Sequence, residues 1–309
     1  MSKETKELVI IGGGAAGLTA AIFASRMGLD TLLIEKLMPG GQVINAEQIE
    51  DYPGIPEIIS GAELVGHMQM QAMSSGTEIV LEEVISVQKP SNLVNLDTTE
   101  KSYSANALII AGGSTLRKLD VPGEDKLLGH GVSYCATCDG AFFLDQDVCV
   151  VGGGDSALEE AITLTEYASK VTILCKNQSL HGQKILQDRV ILNDKIDICY
   201  NVNIEEIQGK NEVETLLVKD NLSGETGEKK ASGVFIFVGL NPNTAYLGDL
   251  LKIDAGGHIK TDSSMKTDLP GILAAGDIRS NSASQLITAA GDGATAATSA
   301  HHYIQSREW

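Results

Sequence analysis

The chain has 309 residues, 43% of them hydrophobic, and a formal net charge of −18 at pH 7. This length suits two domains of ordinary size, and the apolar fraction is enough for a sizeable buried core. The strong negative balance argues against a broad electrostatic grip on nucleic acid or on an anionic membrane surface. We therefore expect neither nucleic acid nor membrane among the partners.

The chain begins with a charged stretch, residues 1–7, that is unlike a secretory signal. Residues 8–25 are uncharged, but their three consecutive glycines favour a buried strand, a turn and a helix over a membrane span. Five cysteines, an odd number, argue against a disulfide scaffold. Cys149, Cys175 and Cys199 fit small buried residues of apolar strands. The sequence predicts a cytoplasmic protein.

Residues 7–36, ELVIIGGGAAGLTAAIFASRMGLDTLLIEK, predict a strand, a glycine turn, a helix and a second strand. Gly12, Gly14 and Gly17 form the GxGxxG pattern of a dinucleotide-binding fold, which allows the turn, the approach of pyrophosphate and close helix packing. The helix start offers unpaired N–H groups to phosphate. Glu35 ends the second strand, where an acid can accept hydrogen bonds from ribose hydroxyls.

The same arrangement recurs at residues 148–176, VCVVGGGDSALEEAITLTEYASKVTILCK. Gly152, Gly154 and Ala157 fill the three motif positions, and alanine is allowed at the third. The two copies align without a gap, so Glu35 of the first falls on Cys175 of the second. The second copy keeps the phosphate turn and lacks the ribose acid. Two such folds in one chain indicate two ligands, commonly a flavin and a nicotinamide.

Further along the chain, apolar runs at 107–114 and 233–244 end in glycine or proline turns, as expected of strands where the chain crosses between domains. Residues 271–278 predict a strand that runs into Gly276 and Asp277, and residues 284–304 predict a helix of small residues. We expect an α/β protein with two Rossmann-like dinucleotide-binding domains, the second inserted in the first. The predicted domains are residues 1–113 with 244–309, and residues 114–243.

The stretch SYCATCDG, residues 133–140, places Cys135 and Cys138 in a CxxC pair followed by Asp139. Such a pair can bind a metal, remain as two buried thiols or carry electrons. A zinc site usually needs a second Cys or His pair at metal spacing, which the sequence lacks, so we expect no metal. A neighbouring thiol and local N–H groups favour a thiolate, and the adjacent carboxylate can return a proton to a leaving sulfur. A redox role is therefore the preferred interpretation.

Along its whole length the sequence resembles the low-molecular-weight thioredoxin reductases. The motifs that carry the resemblance follow one another at the spacing of that family: GGGAAG (12–17), PGGQ (39–42), DYPG (51–54), YCATCDG (134–140), VGGGDSA (151–157) and AAGDI (274–278).

The resemblance implies an FAD-containing homodimer that reduces the disulfide of thioredoxin or a similar small protein. Within it, Cys135 and Cys138 would form the redox disulfide, with Cys138 nearer the flavin and Asp139 handling protons. The inserted domain would turn to present the cysteines to flavin or substrate. The positions implied to hold FAD are Gly12, Gly14, Gly17, Glu35, Gly41, Gln42, Asp51, Gly276, Asp277 and Gln285.

For the nicotinamide, the implied positions include Gly152, Gly154, Ala157 and Lys176. NADPH-using members place His-Arg-Arg at the end of the second motif's strand, followed by a further arginine, because guanidinium groups bind the 2′-phosphate in a fork. Here Cys175, Lys176, Asn177 and His181 occupy this stretch. Near the flavin, Asp51 replaces the usual asparagine and Ser284 the usual arginine.

These departures leave the electron donor open between NADH or NADPH, weakly bound, and reduced ferredoxin, which some relatives use. Some relatives also place a C-terminal aromatic residue over the flavin. Trp309, the one tryptophan, is the residue that would do so here, and a frayed terminus is the alternative. A second class of function is a flavin-binding redox sensor that uses the CxxC without turnover. A thiol-dependent oxidase is less favoured, because such enzymes usually carry an additional CxxC domain.

Overall fold

The computed structural model describes residues 4–309, which divide into two compact units. Unit 1 comprises the chain up to Thr115 and from Asn241 onward, and unit 2 is Leu116–Leu240. Unit 2 is therefore inserted in the sequence of unit 1.

The described residues form strands of two to nine residues. They are β1 (Glu4–Ile11), β2 (Thr31–Glu35), β3 (Glu78–Leu81), β4 (Val84–Gln88), β5 (Val94–Thr98), β6 (Ser102–Ile110), β7 (Ser114–Leu116), β8 (Val132–Ser133), β9 (Asp147–Val151), β10 (Lys170–Cys175), β11 (Ile196–Tyr200), β12 (Val202–Gln208), β13 (Thr215–Asp220), β14 (Thr226–Lys230), β15 (Gly233–Ile236), β16 (Leu240–Pro242) and β17 (Ile272–Ala274).

The α-helices include the three that the sequence predicted, after the two glycine turns and near the end of the chain. They are α1 (Ala15–Arg26), α2 (Gly61–Ser74), α3 (Ala136–Asp139), α4 (Asp155–Leu164), α5 (Lys184–Ile191) and α6 (Leu286–Ser306). Short 3₁₀ helices span Gly41–Asn45, Gly140–Phe143, Ala245–Leu247 and Gly276–Ile278.

Unit 1 is built on a seven-stranded sheet in the order β3-β2-β1-β6-β5-β4, with β17 also paired to β6. The pairings of β3 with β2, of β2 with β1, of β1 with β6 and of β17 with β6 are parallel. The first half of β6 also pairs with β5, and β5 with β4, and both of these pairings are antiparallel. The central strand β1 is buried from Leu8 to Ile11, as expected for a parallel strand covered on both faces. One face packs against α1, α2 and α6, and the other covers a second apolar cluster.

The glycine turn between β1 and α1 needs its glycines for different reasons. Gly12 has a φ of +98°, in the region that favours glycine, and a Cβ there would lie 2.4 Å from the Ala111 carbonyl oxygen. A Cβ on Gly17 would lie 1.8 Å from the Gly12 carbonyl oxygen. The helix therefore sits directly against the turn that precedes it.

The small residues of α6 allow a similarly close approach to α1. A Cβ on Gly293 would lie 2.1 Å from the Ala16 carbonyl oxygen. The predicted small-residue helix thus packs on the first helix of the dinucleotide fold. Ala296, Ala297 and Ala300 extend this buried face.

Unit 2 has a five-stranded parallel sheet in the order β11-β10-β9-β15-β8 and a three-stranded antiparallel sheet, β12-β13-β14. An apolar cluster that includes α4 covers one face of the parallel sheet, and a second cluster joins it to the three-stranded sheet. The second predicted motif is confirmed as β9, a glycine turn, α4 and β10. The observed architecture is the predicted α/β fold with two Rossmann-like domains.

Replacing Gly17 by alanine should destabilise unit 1 strongly, because the new methyl group would overlap the Gly12 carbonyl oxygen. We expect a loss of about 3 kcal/mol in the free energy of unfolding, measured by denaturant titration of the purified protein. The control is Gly66→Ala in α2, where nothing lies within 4 Å of the new Cβ and helix propensity favours alanine by about 1 kcal/mol. Equal stability of the two variants would contradict the packing argument.

Candidate functional site

The start of α1 is shaped to receive an anion. Its N-cap is Gly14, so no side chain caps the first turn, and that turn contains no acidic residue. The nearest atom to a Cβ built on Gly14 is the Gly41 Cα, at 4.0 Å. Gly41 itself has a φ of +57°. Because neither glycine has a side chain, the space beside the start of α1 is open and a ligand can approach the backbone there. Such a site suits a pyrophosphate.

Glu35 lies at the end of β2 and faces this turn. Its Oε2 accepts a hydrogen bond from the Gly13 N–H at 2.7 Å, and its Oε1 accepts one from the Leu37 N–H at 3.1 Å. The Gly40 N–H also donates to the Gly13 carbonyl at 2.8 Å. The predicted ribose acid is thus held beside the phosphate turn by backbone donors. Each carboxylate oxygen can still accept another hydrogen bond.

Gly276 and Asp277 approach the same helix start from β17. A Cβ on Gly276 would lie 3.0 Å from the Ala16 Cβ, so the two turns adjoin. Asp277 accepts a hydrogen bond from the Ser282 hydroxyl at 2.9 Å, and burial raises the pKa of its carboxyl. A half-buried carboxylate with spare acceptor capacity suits the hydroxyl groups of a ribityl chain.

The turn at Gly276 is held by a buried ion pair that sequence reasoning missed. The Arg279 guanidinium donates through Nε and Nη2 to the two carboxylate oxygens of Asp292, the latter bond measuring 3.0 Å. The Gly276 N–H donates to the same carboxylate at 3.1 Å. Asp292 is 7% exposed and lies within α6, so this pair ties the helix to the turn.

The remaining predicted flavin residues are distributed around this edge of the sheet. Gln42 donates from Nε2 to the Ser114 carbonyl at 3.2 Å, and Gln285 is the N-cap of α6. Asp51 lies exposed in the segment before α2. Gln42 thus joins the start of the 3₁₀ helix Gly41–Asn45 to the segment after β6, and the flavin roles of Gln42, Asp51 and Gln285 stay predictions.

Trp309 lies at the far end of α6 from Gln285, about 30 Å along a helix of 21 residues. Its ring packs edge-on against Tyr303, with centroids 5.2 Å apart, and Lys266 Nζ lies 5.3 Å from its centroid. This placement does not bring Trp309 to the predicted flavin residues of its own chain. The hypothesis of stacking on that flavin therefore gains no support.

The residues of unit 1 fit an FAD. The start of α1 would hold the pyrophosphate, Glu35 a ribose, and Asp277 the ribityl hydroxyls. The fit rests on the space around Gly14 and Gly41 and on the acceptor capacity of the two carboxylates.

In unit 2 the second glycine turn is covered by the segment that follows β10. The His181 N–H donates to the Gly153 carbonyl at 2.8 Å, and a Cβ on Gly154 would lie 3.4 Å from the His181 Nε2. Cys175 ends β10, where Glu35 ends β2, and its buried thiol lies under the turn, against Gly153. Gly152 has a φ of +146°, as the motif requires.

Lys176, the predicted cation of this site, is exposed, and its carbonyl accepts a hydrogen bond from the Asn221 side chain. Asp155 places a carboxylate in the first turn of α4, where its Oδ1 accepts the Gln183 N–H at 2.6 Å. No arginine stands between Gly152 and Gln183 in the sequence. The segment from the turn to Gln183 thus offers no guanidinium group of the kind that suits a 2′-phosphate, and the next arginine in the sequence is Arg189 of α5.

Cys135 and Cys138 form a disulfide where β8 leads into α3. The Cys138 N–H donates to the Cys135 Sγ at 3.1 Å, and Cys138 is the more exposed of the two. Ser133 donates to the Asp139 carboxylate at 2.6 Å and accepts the Cys135 N–H at 3.1 Å. The predicted proton-handling acid is therefore fixed in orientation beside the disulfide.

Two further acids support this segment, and no motif revealed them. Glu124, 2% exposed, accepts hydrogen bonds from the Tyr134 hydroxyl at 2.5 Å and from two backbone N–H groups. Burial and this carboxylate raise the pKa of Tyr134. Glu160 of α4 accepts the Ala136 N–H at 2.6 Å. Both contacts join residues far apart in sequence.

Over residues 4–309 no cluster of three or more His, Cys, Asp or Glu side chains is arranged to hold a metal ion. In the same part of the chain, no helix has the length and apolar character needed to cross a membrane.

Two dinucleotide-binding folds and a CxxC disulfide define a disulfide oxidoreductase. Residues 6–294 match the family model described as pyridine nucleotide-disulphide oxidoreductase, and the chain belongs to that family.

Similar proteins share nearly the full length of the chain. The thioredoxin reductase of Bacillus subtilis is 44% identical over 300 residues, covering 97% of this chain and 95% of that protein. The crystal structure of Lactococcus lactis thioredoxin reductase is 40% identical, with a TM-score of 0.95, and covers 97% and 99% of the two chains. A ferredoxin-flavin thioredoxin reductase from Clostridium acetobutylicum is 30% identical, with a TM-score of 0.55, and covers 99% and 100%.

Removing the charge of Asp277 should weaken flavin retention, because an amide replaces a charge-assisted acceptor. For Asp277→Asn we expect about tenfold weaker FAD binding, measured by flavin fluorescence on titration of apoprotein. Asp249→Asn, which removes an exposed acid of the same unit, is the control and should bind FAD as the wild type does. Unchanged affinity in Asp277→Asn would contradict the assignment.

Proposed function

We propose that this protein is an FAD-dependent disulfide reductase that passes electrons through Cys135 and Cys138 to thioredoxin or a similar small protein. The observation that carries the proposal is the disulfide itself, held in the inserted dinucleotide-binding domain with its second cysteine exposed. The family membership and the names of the similar proteins support it. A homodimer in the cytoplasm is part of the same proposal.

In unit 1, the start of α1, Glu35 and Asp277 would bind the FAD, with Gln42 and Gln285 near it. Bound FAD supplies a two-electron carrier between the donor and the protein disulfide. The contribution of the chain is to orient that carrier and to keep charge on Glu35 and Asp277 available as hydrogen-bond acceptors.

In unit 2, the reduced cysteine pair performs thiol–disulfide exchange. One thiolate attacks a sulfur of the substrate disulfide, which breaks that bond and forms a mixed disulfide. The second cysteine then attacks the mixed disulfide, so the Cys135–Cys138 bond re-forms and two electrons reach the substrate. Asp139, oriented by Ser133, is placed to give a proton to a leaving sulfur.

A protein substrate suits the surface that follows the cysteines. Phe142 is 77% exposed and Leu144 is 61% exposed, and both lie within a few residues of Cys138. Large apolar side chains left in solvent beside a reactive site indicate a surface that a partner covers. This supports a small protein, rather than a small molecule, as the electron acceptor.

The proposal extends to the electron donor that reduces the protein. Between Gly152 and Gln183 the chain carries Lys176, His181 and Asp155, and no arginine that could form a fork on a 2′-phosphate. We propose that NADPH has no advantage over NADH in reducing the protein. Reduced ferredoxin is the second candidate, favoured by this lack of nucleotide-specific charge and by the similarity to a ferredoxin-flavin thioredoxin reductase.

Replacing either redox cysteine by serine should abolish turnover, because neither single thiol can regenerate the disulfide. We expect Cys135→Ser and Cys138→Ser to lose at least a thousandfold in the rate of thioredoxin disulfide reduction, followed with insulin as final acceptor. The control is Cys199→Ser, a partly exposed free cysteine of the same unit, which should keep wild-type turnover. Turnover in both redox-cysteine variants would overturn the proposal.

The donor is tested by anaerobic stopped-flow reduction of the purified flavoprotein with NADH, NADPH and reduced ferredoxin in parallel. We expect NADPH to reduce the protein no faster than NADH at equal concentration, because the segment that follows β10 supplies no arginine to bind the 2′-phosphate. A reduction rate about tenfold higher with NADPH than with NADH would contradict the proposal that NADPH has no advantage. Rapid reduction by micromolar NADH or NADPH would exclude ferredoxin as the required donor.

The alternative function is a redox sensor in which the CxxC changes state without turnover. A protein that reduces no thioredoxin with any donor, yet binds a partner only when its disulfide is reduced, would favour the sensor.

A further inference from the structure

We propose that His181 is a specificity-determining residue of the second glycine turn. Its imidazole occupies the place where the pyrophosphate of a dinucleotide would approach the turn, and it thereby weakens the binding of NADH and NADPH alike. The inference rests on the proposed function, because it concerns the choice of electron donor. It is carried by a comparison of the two copies of the dinucleotide fold within this chain.

Both copies hold the segment that follows the second strand by the same backbone hydrogen bond. In unit 1 the Gly40 N–H donates to the Gly13 carbonyl at 2.8 Å, and in unit 2 the His181 N–H donates to the Gly153 carbonyl at 2.8 Å. Gly13 and Gly153 occupy the same position of the glycine motif. His181 is therefore the structural counterpart of Gly40, and a side chain is present in unit 2 where unit 1 has none.

This side chain lies against the second glycine of the motif, the one that lets backbone approach a pyrophosphate. A Cβ built on Gly14 has one atom within 4 Å, the Gly41 Cα at 4.0 Å. A Cβ built on Gly154 would lie 3.4 Å from the His181 Nε2 and 3.7 Å from its Cδ2. The edge of the imidazole thus stands where the first copy leaves room for a ligand.

The backbone that carries His181 is held in place beyond this residue as well. The Gln183 N–H donates to the Asp155 carboxylate of α4 at 2.6 Å, and the Gln187 side-chain amide of α5 donates to the Gly182 carbonyl at 2.7 Å. His181 itself is exposed, so its ring can rotate into solvent. A dinucleotide would therefore reach the turn by displacing the ring, with the backbone of the segment left in place.

The obstacle acts equally on the two nicotinamide nucleotides, because both contain the same pyrophosphate. When a site is open in only a fraction of the molecules, its apparent affinity is reduced by that fraction. A donor that does not use this turn, such as reduced ferredoxin, is unaffected by the ring. His181 thus shifts the choice of donor away from NADH and NADPH together.

The test measures binding of the oxidised nucleotides NAD⁺ and NADP⁺ to the FAD-loaded protein by isothermal titration calorimetry at pH 8. His181→Ala removes the ring, whereas His181→Phe keeps a ring of similar size without its nitrogen atoms. Gln178→Ala is the control, because it shortens an exposed side chain of the same segment. The pair of His181 variants separates occupation of space from hydrogen bonding or charge.

We expect His181→Ala to bind NAD⁺ and NADP⁺ each about fivefold more tightly than the wild type. His181→Phe and Gln178→Ala should bind neither nucleotide more tightly than the wild type. Should alanine disturb the segment, His181→Gly is the second variant, since it reproduces the residue found at Gly40, and its affinity should rise at least as far.

Unchanged NAD⁺ affinity on removal of the ring would overturn the inference, and so would an absence of detectable binding in both the wild type and the variant. A loss of affinity for both nucleotides would show that the imidazole binds the ligand instead of excluding it. A loss confined to NADP⁺ would assign the imidazole to the 2′-phosphate, and it would overturn the inference equally.

The binding measurement involves no turnover and no protein substrate. Tighter binding by His181→Ala, in a protein that reduces no thioredoxin with any donor, would retain the role of His181 and reject the proposed function. Unchanged binding in an active thioredoxin reductase would reject the role of His181 and leave the proposed function standing.

Discussion

The contact of Gly17 with the Gly12 carbonyl is the constraint on which unit 1 depends. With no Cβ at Gly17, α1 lies directly on the turn that precedes it, and its first N–H groups face open space beside Gly41. The backbone of α1 is in turn the surface on which Gly293 of α6 packs. Since α6 carries Asp292, which holds the turn before Asp277, one missing methyl group sets the position of both halves of the candidate flavin site.

Short-range patterns predicted most of the fold. The GxGxxG turns, the acid at Glu35 and the CxxC are local signals, in which a few neighbouring residues determine geometry and chemistry together. Glu160 and Asp292 could not be predicted, because each accepts hydrogen bonds from groups well separated in the chain. Glu124 accepts from nearer groups, the Leu119 and Asp120 N–H and the Tyr134 hydroxyl, but no recognised motif marks it. For Trp309 the sequence left two alternatives open, because a terminal aromatic residue has no local constraint on what it packs against; in the structure it packs against Tyr303.

The two copies of the dinucleotide fold share a backbone and differ in what surrounds it. In the first, the strand-ending residue is Glu35, which accepts hydrogen bonds from the turn. In the second, the equivalent residue is Cys175, whose thiol is buried under the turn, while His181 lies on Gly153 and Gly154. The glycine turn therefore persists as a structural element of unit 2, while the side chains around it differ from those around the first turn.

The Arg279–Asp292 pair has a consequence for how this family of chains can vary. Loss of one partner from a buried ion pair leaves an uncompensated charge and costs about 3–5 kcal/mol, whereas replacing both by apolar residues is often neutral. Asp292 also accepts the buried Gly276 N–H, so replacing both residues by apolar ones would leave that donor without its acceptor. Position 292 therefore tolerates less change than position 279, because loss of its carboxylate releases both the arginine and the backbone of the turn before Asp277.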